Sequence, residues 1–89
     1  MDGFYFVYVL RSLKDKKFYT GFTKDIEQRL SQHNSGKVNS TKSRIPFELV
    51  YYEVSRNIDD AIHREKYLKT TYGKRYIKNR ISNYLGSIS

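Results

Sequence analysis

Cysteine and tryptophan are absent from this 89-residue chain, and it holds a single proline. Without cysteine there is no disulfide framework, no thiolate metal site and no thiol nucleophile, and a reducing compartment is the easier home. Long apolar runs are missing too. The longest, Phe4 to Leu10, is far too short to span a bilayer. The start, Met1-Asp2-Gly3, lacks the basic flank of a secretory signal. These absences lead to the expectation of a soluble, cytoplasmic protein with no membrane partner. Length excludes a second domain: residues 1–89 suffice for one, and so short a chain buries only about 60–65% of its unfolded surface. Acidic residues are scarce as well, 9 Asp and Glu against 17 Lys and Arg, which leaves a net charge of +8.

What is present starts with that charge, which favours a polyanionic partner over a neutral one. Arg64 to Arg80 holds seven basic residues and one acid, Glu65. A solvated basic face is the plain alternative. With the loop cations added, Lys37, Lys42, Arg44, Lys69, Lys74, Arg75 and Lys78 are the candidates for contacting nucleic-acid phosphates. The hydrophobic fraction is 38% and includes nine tyrosines, so the expected core is aromatic and partly wet.

Phe4 to Leu13 is an almost unbroken β-branched and aromatic run, a strand with both faces partly covered. Lys14 to Lys17 breaks it and Phe18 to Phe22 resumes it, which predicts a β-hairpin whose turn lacks the usual glycine. Thr23 is the expected cap of a helix carrying Ile26, Leu30 and His33 on one stripe and ending at Asn34-Ser35-Gly36. Gly36 to Pro46 reads as a loop, long enough for its size to suggest a function. Phe47 to Val54 is a third strand. Asn57 caps a second helix expected to run to about Tyr72, where Gly73 breaks it, and Lys74 to Leu85 reads as a third helix. The fold class is α+β: a three-stranded antiparallel sheet flanked by helices, in the order β-β-α-β-α-α.

Some residues do not suit a bland core. Glu65 falls inside the stripe of Ile58, Ala61, Ile62, Leu68 and Tyr72. A carboxylate there must be paired, metal-bound or at a cleft edge, and a salt bridge to Lys69 is the ordinary explanation. Arg29 and His33, four residues apart, share a helix face. If the hairpin turns at Asp15-Lys16, Ser12 faces Tyr19, and Tyr8, Ser12 and Tyr19 project from one sheet face.

The stretch Val7-Tyr8-Val9-Leu10, then Tyr19-Thr20-Gly21 with its tyrosine eleven residues after Tyr8, then Arg29 ten further on and His33 four beyond, resembles the GIY-YIG nuclease superfamily. The likeness is to its small stand-alone bacterial proteins and extends through Phe47 to Glu53 and Ala61 to Lys69. The first motif reads Phe6-Val7-Tyr8, without its glycine, and the second has Thr20 in its middle position. Asn79 and Asn83 are the two candidates for the asparagine that some members carry late in the chain.

The resemblance implies a catalytic set of Tyr8, Tyr19, Arg29 and His33, with Glu65 holding a single divalent cation, Mg²⁺ or Mn²⁺. Arg29 would contact the scissile phosphate, Tyr8 would be the general base, and Tyr19 or His33 a relay. Free tyrosine has a pKa of about 10, so Arg29 and a metal would have to favour tyrosinate. The expected activity is a Mg²⁺-dependent endonuclease acting on DNA, branched or single-stranded forms included, in repair or processing. The alternatives are a nucleic-acid-binding module that keeps the fold without cleaving, and a basic protein-interaction module. Sequence preference, DNA against RNA, and oligomeric state stay open.

Overall fold

The computed structural model describes residues 2–88. Its sheet is built from β1 (Tyr5–Ser12), β2 (Phe18–Thr23) and β3 (Phe47–Ser55), in the order β2-β1-β3 with both pairings antiparallel. The most apolar strand is therefore the central one, as a strand covered on both faces should be. Its alternation divides the core. Val7 and Val9 face Ala61, Leu68 and Ile77, whereas Tyr8 and Leu10 face Phe47, Ile26, Leu30 and Leu49.

Helix α1 (Ile26–Asn34) lies between β2 and β3 in the chain, and α2 (Ile58–Leu68), α3 (Thr71–Arg80) and the short α4 (Ser82–Ser87) follow β3. Helix α1 lies over the Tyr8 face; α2 and α3 pack on the other. The class and order expected above hold, with the last helix divided in two. None of the described helices is long and apolar enough to cross a membrane.

The hairpin turn has no glycine because Lys16 itself takes the left-handed conformation, at φ 64°. The buried Ser12 hydroxyl secures the turn, accepting from the amides of Lys14 and Asp15 at 3.1 Å and donating to the Arg44 carbonyl at 2.6 Å. The register differs by two from expectation: Leu10, not Ser12, pairs with Tyr19, and Tyr8 pairs with Gly21. A shift of two leaves every side chain on its face, so Tyr8, Ser12 and Tyr19 still share one.

Local capping differs at three points. The cap of α1 is Asp25, whose carboxylate accepts from the Gln28 amide, while the Thr23 hydroxyl bonds to the Asp25 backbone, accepting from its amide and donating to its carbonyl. Helix α2 stops at Leu68 rather than Tyr72, because the Thr70 hydroxyl accepts from the Gly73 amide and starts α3. Gly73 is thus inside α3, where any Cβ would fall on the Tyr67 carbonyl and within 2.5 Å of the Leu68 Cα. It permits close helix packing instead of breaking a helix. The stripe on α2 is correspondingly narrower: Ala61 and Leu68 are buried, but Ile58 is exposed, as is Tyr72 on α3.

Candidate active site

Tyr8 leaves the central strand and lies across its neighbour at Gly21. A Cβ on Gly21 would sit 2.5 Å from the Tyr8 hydroxyl and 2.7 Å from its Cζ, so only glycine leaves the ring room. The hydroxyl is 2.9 Å from Nε2 of His33. Helix α1 brings that histidine to the sheet, and a reciprocal clamp holds the end of the helix there: Asn34 accepts from the Phe47 amide at 2.7 Å and donates to the Phe47 carbonyl at 3.0 Å.

His33 is wholly buried. Tyr8, Tyr19 and Phe47 surround its ring edge-on, with centroids 5.9, 5.1 and 5.9 Å away. Its Nδ1 lies 2.8 Å from the Thr41 hydroxyl, which is 3.4 Å from the Val38 carbonyl. Thr41, also wholly buried, belongs to the segment between α1 and β3, just before a 3-10 turn at Lys42–Arg44. Nothing in the residue pattern singled it out: it is one of several hydroxyl residues in a polar loop.

Burial and the nearby Arg29 guanidinium both disfavour the imidazolium, and the His33 pKa falls to about 4. The ring is neutral at pH 7. Burial pushes the Tyr8 phenol up, against the lowering effect of Arg29, with Tyr19 and Glu65 adding to the rise. Arg29 acts in the expected direction, towards tyrosinate, but desolvation is the larger influence. In the resting protein Tyr8 is a neutral phenol.

Tyr8, Tyr19, Arg29 and His33 therefore come together around the β1–β2 pairing. Nη1 of Arg29 also donates to Gln32 Oε1 at 3.0 Å, which braces the guanidinium along its own helix. Glu65 arrives from α2, on the opposite face, yet its carboxylate is near enough to act on Tyr8. The side chain is 16% exposed and its Oε2 lies 3.4 Å from Nζ of Lys69, the salt bridge that its spacing allowed. The site is more closed than four groups opening on one cleft would require, because Tyr8 is only 3% exposed.

The basic residues separate into groups. Arg44, Lys74 and Lys78 line one cleft with Lys16, Lys17 and Asp15. Within it, Arg44 is already engaged: its Nε is 2.7 Å from Asp15, whose carboxyl it holds down at about 2, and it donates to the Lys17 carbonyl at 3.2 Å. Lys69 is occupied by Glu65, and Arg75 lies over the Tyr72 ring at 5.7 Å. Lys37 and Lys42 are exposed away from that cleft lining. Arg64, first of the basic run, is a structural residue that chelates Glu53 at 2.9 and 2.8 Å between the rings of Tyr67 and Tyr76.

The sequence profile of the GIY-YIG catalytic domain matches residues 4–80, which spans the sheet, the Tyr8–His33 pair and Glu65. The chain belongs to the GIY-YIG family. A UPF0213 protein of Staphylococcus saprophyticus is 39% identical over 79 residues, covering 88% of this chain and 94% of the relative. One from Syntrophus aciditrophicus is 44% identical over 66 residues, 72% and 75% of the two chains. The solution NMR structure of a UPF0213 protein from Bacillus halodurans superposes with a TM-score of 0.53 at 32% identity, covering 85% and 83%.

This GIY-YIG chain absorbs its departures from the motif in packing. Phe6, where the first glycine would be, packs against Tyr52 with the rings tilted and their centroids 5.8 Å apart, and Thr20 is buried. Asn79 and Asn83 are both exposed, and among the described residues neither is hydrogen-bonded to the site.

Proposed function

We propose that this GIY-YIG protein is a metal-dependent endonuclease that hydrolyses phosphodiester bonds in DNA. The observation that carries the reading is the Tyr8–His33 pair: a phenol bonded at 2.9 Å to a neutral, buried imidazole and flanked by an arginine. A surface tyrosine has no such proton acceptor.

Among the described residues no three His, Cys, Asp or Glu side chains converge as a metal cage. One carboxylate suits Mg²⁺, which keeps most of its waters and is commonly held by one or two carboxylates with substrate phosphates. Glu65 would hold it, releasing Lys69, whose ammonium is half exposed and easily rehydrated. When bound, the cation supplies charge stabilisation at the phosphoryl oxygens.

The remaining steps fall to the chain itself. Moving a proton outright from Tyr8 to His33 is uphill, since burial raises the one pKa and lowers the other. Transfer is therefore concerted: the attacking water gives its proton to the Tyr8 oxygen as Tyr8 passes its own to His33 Nε2. The hydroxide forms a bond to phosphorus as the bond to the leaving oxygen breaks; that oxygen takes a proton from solvent water, and His33 returns its proton through Tyr8 to solvent, which restores the neutral pair. Arg29 donates to the phosphoryl oxygens as charge builds there. Tyr19, edge-on to His33, holds the ring in line. Lys74 and Lys78 carry the flanking backbone, with Lys37, Lys42, Lys69 and Arg75 as outer contacts.

The rival reading, a binding module that does not cleave, draws on the 3% exposure of Tyr8, which leaves little of the base for water to reach. Incubating pure protein with supercoiled, branched and single-stranded DNA, with and without Mg²⁺, decides between them. Mg²⁺-dependent nicking that Glu65→Gln abolishes supports the nuclease. Binding without any cleavage supports the module.

A further inference from the structure

We propose that Thr41 is a positioning residue that fixes His33 in the tautomer with a bare Nε2, the form able to receive the Tyr8 proton. The inference deepens the nuclease reading by adding a residue to its proton path, but the tautomer can be tested without any turnover.

The assignment follows from counting donors and acceptors along one line of contacts. The Tyr8 hydroxyl is buried and must donate its hydrogen. Arg29, beside it, is a donor only, so the acceptor is His33 Nε2 at 2.9 Å. Nε2 is then unprotonated, and in a neutral imidazole the hydrogen resides on Nδ1. Nδ1–H donates to the Thr41 oxygen at 2.8 Å, and the Thr41 hydrogen is directed to the Val38 carbonyl at 3.4 Å. Every group in the line, Tyr8, His33, Thr41, Val38, then has one consistent role. The reverse tautomer would place two donors, Nε2–H and an arginine, against the Tyr8 oxygen and leave the buried phenolic hydrogen without an acceptor.

Thr41 anchors the far end of the line, where its oxygen holds the Nδ1 hydrogen. It is 0% exposed, and it begins the turn in which the Arg44 amide bonds to its carbonyl at 2.9 Å. Arg44 in turn is locked to Asp15 at the hairpin tip. The hydroxyl is thus anchored by backbone and cannot follow a rotating imidazole.

The test is a long-range nitrogen–proton NMR correlation spectrum of nitrogen-labelled protein at pH 7, which distinguishes protonated from bare ring nitrogens. Wild type is expected to show Nδ1–H and a bare Nε2. Thr41→Ser should keep that pattern, whereas Thr41→Val, which has no acceptor, should move the hydrogen to Nε2 or mix the forms. Where wild type nicks DNA, Thr41→Val should slow it by about 100-fold, the low end of a general acid–base contribution, with Thr41→Ser restoring most of the rate. A wild-type spectrum with Nε2–H overturns the proposal whether or not any variant folds. So does Nδ1–H persisting alone in a folded Thr41→Val. An inactive wild type with the expected spectrum overturns the nuclease reading and leaves the tautomer assignment standing.

Discussion

Gly21→Ala is the perturbation the site should tolerate least for its size. Gly21 is not at positive φ, so an alanine meets no backbone strain there, and its whole effect must come through Tyr8. The added Cβ would be 2.7 Å from the Tyr8 Cζ, while carbon atoms settle at about 3.5–4.0 Å, so the ring must retreat by about 1 Å. It has nowhere to go. On its far side the hydroxyl is already 2.9 Å from a histidine that is enclosed by three rings and fixed by Thr41. Overpacking of this kind costs about 1–3 kcal/mol, which in a domain of this size lowers Tm by roughly 5–20 °C. A base displaced by about 1 Å loses on the order of 100-fold in rate. Plasmid nicking and thermal unfolding of the same preparation read the two effects. A Gly21→Ala protein with wild-type Tm and wild-type nicking would refute the account, because it would mean that Tyr8 does not depend on that vacancy.

Glu65→Gln should abolish metal-dependent nicking with little change in Tm, since its salt-bridge partner Lys69 is half exposed and such pairs contribute about 0–1 kcal/mol; full activity, or gross unfolding, counts against the metal role. Stability should fall as pH drops from about 6.5 through about 4, because the unfolded chain binds a proton at His33 that the folded one refuses, with a slope of at most about 1.4 kcal/mol per pH unit. Urea midpoints across that range check it, and the group contributes almost no slope above about pH 8; Asp15, held to about 2, enters mainly below about 3.8. Replacing both Lys74 and Lys78 by Ala should reduce the slope of log affinity against log salt on duplex DNA by about 1.8 and weaken unrelated sequences equally. An unchanged slope would take that cleft out of the binding surface.

How much of this could be read from residues alone depended on the kind of contact. Period two in β1 is forgiving: a register wrong by two residues still put Tyr8 and Tyr19 on one face. Caps were less forgiving. Thr23 and Asp25 are both good caps two residues apart, and the choice fell to whichever side-chain oxygen reached the Gln28 amide. Gly73 misled because a glycine serves equally as a stop and as a space for a neighbouring helix.

The deepest omission was Thr41, and its cause is instructive about the site as a whole. His33 and Tyr8 are 25 positions apart and Thr41 is eight past His33 in a coil, so no helical or strand period relates the three. Their meeting is decided by two fixtures of that coil: the Asn34–Phe47 clamp, which ties its two ends together, and the Ser12–Arg44–Asp15 knot at the hairpin tip. The second fixture also occupies Arg44, which charge alone would assign to phosphate. Charge composition counts a cation once. The fold has spent this one on holding a turn, and the hydroxyl that the turn carries is what leaves His33 free to accept a proton.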